Sequence, residues 1–171
     1  MPISDYLKGL RAKVGSELLL VPSVTAIVYD ERGRILLARH AEGGVWVAPG
    51  GSVEPNESPS DAVVRETWEE TGLLVEPIRL VGVYGGPEFQ VTYGNGDLVT
   101  YLMTAFECRP LGGGLRPDGL ETLDVGYFAE AELKELNLPA WARVVLPDAF
   151  SGRPRAHFQA VTWRPPQGAM S

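Results

Sequence analysis

Residues 58–72, SPSDAVVRETWEETG, carry both ends of a helix and an unusual charge load between them. Ser58 is a natural N-cap, Pro59 suits the first helical position, and Asp61 stands close to the place of a capping-box acid. Gly72 fits the C′ position, where a left-handed residue stops a helix. The spacing predicts about 13 helical residues, an ordinary length. At about 100° per residue, Glu66, Glu69 and Glu70 fall within roughly 100° of one face, with Arg65 beside them. Val64, Thr67 and Thr71 share another face, which is expected to meet a core, and Val63 lies at the border.

Two readings of the acidic stripe stay open at this point. It is a solvated face, or it awaits a cation. Like charges one helical turn apart destabilise a helix, and the last turn disfavours anions. The placement is therefore locally unfavourable, and a bound cation would relieve it. Oxygen-only ligands would select a hard divalent ion, Mg²⁺ or Mn²⁺.

The rest of the chain reads as strands with irregularly interspersed helices, so the fold class expected is α/β (α+β) with layered packing. ISDYLKGLRAKVG spaces its apolar residues as a short amphipathic helix over residues 3–14, resting on the domain or on a partner subunit. SVTAIVYD and RILLAR are apolar strands joined by the turn DERG, and VWVAPGGSV is a short strand running into a Gly-Gly loop. LLVEPIRLVGVYGG is a strand or a bent pair. Asn95-Gly96 marks a hairpin whose second arm, LVTYLMTAFEC, is a long central strand. LDVGYFA is a further strand, and EAELKEL and PAWARVVLPDAF are helical. The Gly112–Gly114 run lacks the Lys-Ser/Thr of a phosphate-binding loop and reads as a flexible hairpin connection. The segment 151–171 carries three arginines and no acid; within it, AHFQAVTW can add an edge strand.

With 171 residues, one domain is expected. The net charge of -7 argues against nucleic-acid polymers and anionic membranes as partners, both of which need a positive field. Small anionic substrates remain open, because a bound metal reverses the sign locally. The single cysteine, Cys108, excludes an intramolecular disulfide framework and suits a reducing cytoplasm. It sits in a strand-like run and reads as a packing residue. His40 and His157 are too far apart in sequence to form a histidine metal motif. No signal peptide or spanning helix is expected.

Residues 51–73 read GSVEPNESPSDAVVRETWEETGL. Gly51 is followed after five residues by Glu57, and after seven more by Arg65-Glu66, then Glu69-Glu70, Gly72 and Leu73. This resembles the Nudix box of the Nudix (MutT-like) hydrolases, G-x5-E-x7-R-E-U-x-E-E-x-G-U, where U is bulky and apolar. At average residue frequencies a chance match is rarer than about one in a hundred million per window. The one departure is Thr67 at the first U position, which bears on packing and not on chemistry.

The resemblance implies a Nudix α/β/α sandwich with a mixed sheet over about residues 20–150, flanked by the N-terminal helix and the extension 151–171. It implies divalent-metal-dependent hydrolysis of a nucleoside diphosphate linked to another moiety. Carried over by position, Glu66, Glu69, Glu70 and the Gly50 carbonyl would hold Mg²⁺ or Mn²⁺, and Glu66 could also act as base. Arg65 would orient a glutamate and Glu57 would support the network. Glu121, in a loop resembling one that often supplies an extra carboxylate, is the candidate additional ligand or base. Arg39, at the end of the second strand, is the candidate substrate contact. Trp46, Tyr84, Phe89, Tyr93 and Tyr101 are available for base stacking.

The box sets the reaction and not the leaving group. Pro87, fourteen residues past Leu73, comes near the proline of ADP-ribose-type members. ADP-ribose, a nucleotide sugar and a nucleoside triphosphate all stay open. A diphosphate isomerase or a non-catalytic nucleotide-binding regulatory domain are the alternatives on this scaffold. The resemblance also allows a homodimer exchanging terminal segments.

Overall fold

The computed structural model of the chain describes residues 4–165. Ile3, in the expected first helix, and residues 166–171 of the tail lie outside the described residues. Helix α1 (Asp5–Val14) starts at Ser4, whose hydroxyl accepts the Leu7 N–H, and none of its residues is buried. Arg11 tethers it, donating to the carbonyls of Gly15, Glu17 and Leu98 and lying 3.4 Å from Asp97.

Strand β1 (Leu19–Val28) organises a mixed sheet. One edge pairs antiparallel with β4 (Gly50–Ser52), and the other pairs parallel with β7 (Leu98–Gly113). Strand β7 also pairs antiparallel with β5 (Leu73–Tyr84) and β6 (Gln90–Thr92). A second, antiparallel sheet forms around β2 (Ile35–His40), flanked by β3 (Trp46–Val47) and β8 (Thr122–Phe128). Although a tight turn joins β1 and β2, they part into different sheets, because both edges of β1 are already taken.

Two helices cover opposite faces. Helix α2 (Pro59–Thr71) packs Ala62 and Val63 onto Val24, Ala26, Val28, Leu36 and Cys108. Helix α3 (Ala142–Phe150) packs Ala142, Val145 and Leu146 onto Ile27, Ile35, Leu37 and Met103. The architecture is the expected α/β/α sandwich with a mixed sheet. Cys108 lies in the core, where burial pushes its thiol up to about 12.

Several local readings are corrected. Gly50 and Gly51 form strand β4, not a loop: the backbone lies so close to β1 that a Cβ on Gly50 would stand 2.1 Å from the Val24 carbonyl oxygen. The glycine run at 112–114 does not close a hairpin, since β7 and β8 belong to different sheets. Instead Gly113 presses against the end of α2, and a Cβ there would meet the Gly72 oxygen at 2.3 Å. EAELKEL forms a 3-10 segment, Glu130–Glu135. In the tail, His157 alone bridges to the β5 edge at Gly82, so no full edge strand forms among the described residues.

Glycine at position 50 is thus required by close approach. Gly50→Ala is expected to lower stability by about 1–3 kcal/mol, the usual cost of overpacking. Gly112→Ala, whose Cβ would meet nothing within 4 Å, should stay within about 0.5 kcal/mol of wild type. Urea denaturation of both variants checks the contrast.

Candidate functional site

Helix α2 forms as its ends dictate. The Ser58 hydroxyl accepts the Asp61 N–H, and Gly72 adopts φ 70° with its N–H on the Trp68 carbonyl. The loop after β7 completes the C-terminus: Arg116 N–H donates to the Thr71 carbonyl at 2.7 Å. Thr67, the departure from the box, is fully buried and returns its hydroxyl to the Val63 carbonyl at 2.6 Å. Val63 is buried rather than borderline, and Val64 is only half-buried.

The acidic stripe is not a solvated face. Glu66 and Glu70 are 4% and 3% exposed, because the loop after β7 and strand β4 close over this side of the helix. Glu69 alone reaches solvent, with 56% of its side chain exposed. Burying carboxylates is costly unless they are paired. Arg65 supplies the pairing. Its Nε and Nη2 donate to the two oxygens of Glu57 at 2.8 and 2.9 Å. Its Nη1 donates to Glu66 at 2.8 Å and Glu69 at 3.2 Å, and Nη2 also reaches the Ser52 carbonyl. One guanidinium therefore ties the helix to β4 and to the loop between them. The Arg65 hydrogen bonds hold Glu57 below the usual carboxylate range. Burial pushes Glu66 up to about 7 despite Arg65, with Glu70 and Glu69 adding to the rise.

Glu70 is handled differently. Gly50 N–H donates to its Oε2 at 3.1 Å, and His40 Nε2 lies 3.3 Å from its Oε1. Glu121 arrives from the loop before β8. Burial works against the charge of Asp118 in that loop, but three N–H groups, of Leu120, Glu121 and Thr122, hold its carboxyl below its ordinary value. The Glu121 carbonyl accepts the Ala41 N–H at 2.7 Å, which fixes the loop against the end of β2.

Glu66, Glu69, Glu70 and Glu121 line one cavity of about 190 Å³ with Ser52, Glu54, Arg65 and Asp118. Ser4 and Leu7 of α1 close its rim. Ser52 and Glu121 are shared with a second cavity of about 540 Å³, walled by Val45, Val47, Tyr93, Tyr101, Met103 and Trp141. A small acidic chamber thus opens beside a larger, partly apolar one.

The donor set fits a hard divalent cation, being all oxygen and densely anionic. Among the described residues, no three His, Cys, Asp or Glu side chains form a ready-made metal site. The hydrogen bonds explain this: Arg65 occupies Glu66 and Glu69, while Glu70 is turned to Gly50 and His40. Burial is what raises Glu66, and a cation beside it would offset that cost.

Six of the sequence-derived candidates come together here: Glu57, Arg65, Glu66, Glu69, Glu70 and Glu121, with Gly50 contributing an N–H. Arg39 is not brought to either cavity; it lies 4.0 Å from Asp124 and over the Trp46 ring. Strand alternation sends it the other way and turns its neighbour His40 to the site. Among the aromatic candidates, Tyr84 and Phe89 are buried in the core, while Tyr93 and Tyr101 face the larger cavity. His40, Ser4 at the start of α1 and Leu7 within it were not foreseen as site residues. For His40 the period of two along β2 was the available signal.

A family model described as NUDIX domain matches residues 19–149. A MutT-like protein of Streptomyces ambofaciens is 38% identical over 130 residues, covering 76% of this chain and 77% of that protein. An NAD-capped RNA hydrolase, NudC, of Chromobacterium violaceum is 36% identical over 120 residues, covering 68% of this chain and 42% of that protein. The crystal structure of an ADP-ribose pyrophosphatase from Streptococcus suis superposes with a TM-score of 0.62 at 28% identity, covering 81% of this chain and 96% of that one.

Replacing Arg65 by Met is expected to cost about 2–3 kcal/mol at pH 8, the scale of lost charged hydrogen bonds. Glu57 is held below its ordinary value, so its contribution is full above that value and fades as pH falls through the lowered one. The deficit of Arg65→Met should therefore shrink in acid, as Glu57 protonates. Urea midpoints measured from pH 8 down to about pH 3 test the trend; a deficit that stays constant below the ordinary glutamate value of about 4.3 would contradict it.

Proposed function

The chain belongs to the NUDIX hydrolase family, and from that premise we propose that it is a divalent-metal-dependent pyrophosphohydrolase acting on a nucleoside diphosphate linked to another moiety. The observation that carries this reading is the junction of the two cavities. The acidic chamber suits a metal-bound pyrophosphate, and the larger one, with its aromatic and apolar wall, suits a nucleoside or its leaving group.

Bound at the α2 carboxylates, a divalent ion would neutralise phosphate charge and lower the pKa of a coordinated water. The protein's own part is placement. Glu66, Glu69 and Glu70, with the Gly50 carbonyl, are the proposed ligands. Arg65 holds Glu66 and Glu69 until a cation takes them, and keeps Glu57 throughout, so the positive charge never leaves the site. Glu121, on the wall shared by both cavities, is the proposed acceptor of a proton from the attacking water. Tyr93 and Tyr101, whose hydroxyls are hydrogen-bonded to each other, offer polar contacts to the nucleoside. A small-molecule nucleotide is the proposed substrate. Among the described residues no helix is long and apolar enough to cross a membrane.

Glu70→Gln keeps the shape of the site and removes one charge. It is expected to cut turnover by more than about a hundredfold with the fold intact, the scale of lost transition-state charge stabilisation. Product analysis on nucleoside triphosphates, ADP-ribose, nucleotide sugars and dinucleoside polyphosphates, with Mg²⁺ and Mn²⁺, should reveal cleavage of a P–O–P bond that chelation abolishes. Nucleotide binding without cleavage of any of them would favour a regulatory domain instead.

A further inference from the structure

Of the three α2 glutamates, Glu70 is the one Arg65 does not bond. It is buried in the last turn of the helix, where the macrodipole disfavours a negative charge. Two groups from other elements approach it. Gly50 N–H of β4 fixes Oε2, and His40 Nε2 at the end of β2 stands 3.3 Å from Oε1.

The fold delivers His40 to this place deliberately. Along β2, Ile35 and Leu37 pack toward α3, while Leu36 packs toward α2. His40 continues the Leu36 row and therefore faces the helix. The register shift beside it, where Arg39 pairs with Asp124 and His40 with Thr122, puts the extra residue in β8, so β2 keeps its alternation through His40. The backbone is fixed on both sides, with His40 N–H on the Val45 carbonyl and Ala41 N–H on the Glu121 carbonyl. Nε2 is shielded from solvent and makes no hydrogen bond, so the Glu70 carboxylate is its close polar neighbour. A shielded polar nitrogen is costly to keep without a partner, and a slight turn of the Glu70 carboxylate would satisfy it.

We propose that His40 is a positioning residue that fixes the orientation of the Glu70 carboxylate, and through it the geometry in which the site receives a divalent cation. This rests on the metal-dependent reading above. It acts on the cation through Glu70. With His40 gone, Oε1 loses that neighbour and the carboxylate keeps the Gly50 N–H at Oε2, about which it can turn.

Mn²⁺ binding by isothermal titration calorimetry tests this without relying on turnover. His40→Leu and His40→Asn, the second polar but too short to reach Glu70, should each bind Mn²⁺ about 10–100-fold more weakly, as expected when a partner of a metal ligand is lost. His40→Gln, whose longer amide reaches further, should recover most of the loss. In a cycle with Glu70→Gln, the double variant should bind no more weakly than Glu70→Gln alone, because one pathway is being removed twice. The two shorter substitutions keep the test open if either fails to fold. Wild-type Mn²⁺ affinity in a folded His40 variant, or additive losses, overturns the positioning role. If Glu70→Gln itself leaves Mn²⁺ binding unchanged, the metal-site reading falls and takes this inference with it.

Discussion

One guanidinium makes this site buildable. Glu57 and Glu66 would be costly to bury as isolated charges, and Glu69 stands one turn from Arg65 on the same helix. Arg65 meets all three with directed hydrogen bonds and adds the Ser52 carbonyl, so it also seams α2 to β4. The pairing is incomplete by one charge or more. Glu66 remains pushed up to about 7, and Glu70 has only an N–H and an imidazole. A chamber with more buried carboxylates than cations is stable enough to fold and still has a use for a divalent ion.

The surrounding fold serves that chamber in specific ways. Strand β1 gives one edge to β4, which lets Gly50 press against Val24 and present its N–H to Glu70. Glycines 72 and 113 let the end of β7 approach the C-terminus of α2, from which the following loop runs on to Glu121. The second sheet brings the end of β2 to the same point. The site thus gathers residues from both sheets and from one helix, and sits where a small acidic space adjoins a larger apolar one.

What was legible in the sequence was local or strictly spaced. Ser58, Pro59 and Gly72 mark α2 because caps act within one turn, and the spacing from Gly51 to Leu73 reports a chemistry that needs those groups on one helix. What was not legible depends on tertiary contact. A helical wheel shows that three glutamates share a face, but not that a loop and a strand will bury two of them. A tight turn between β1 and β2 suggests a pair, but strand competition for β1 decides otherwise. Arg39 attracted attention as a charge near the box, yet the alternation of β2 placed His40 there instead. The glycines at 112–114 looked like slack, and in the fold Gly113 among them makes a close contact with Gly72.

Anomalous diffraction from crystals soaked in Mn²⁺ with a non-hydrolysable nucleotide tests the central claim most directly. An anomalous peak about 2.0–2.2 Å from oxygens of Glu66, Glu69 and Glu70 is expected, with Arg65 still bonded to Glu57 and released from Glu66 or Glu69. A peak elsewhere on the protein, or Arg65 still holding both Glu66 and Glu69 with the nucleotide bound, would contradict it.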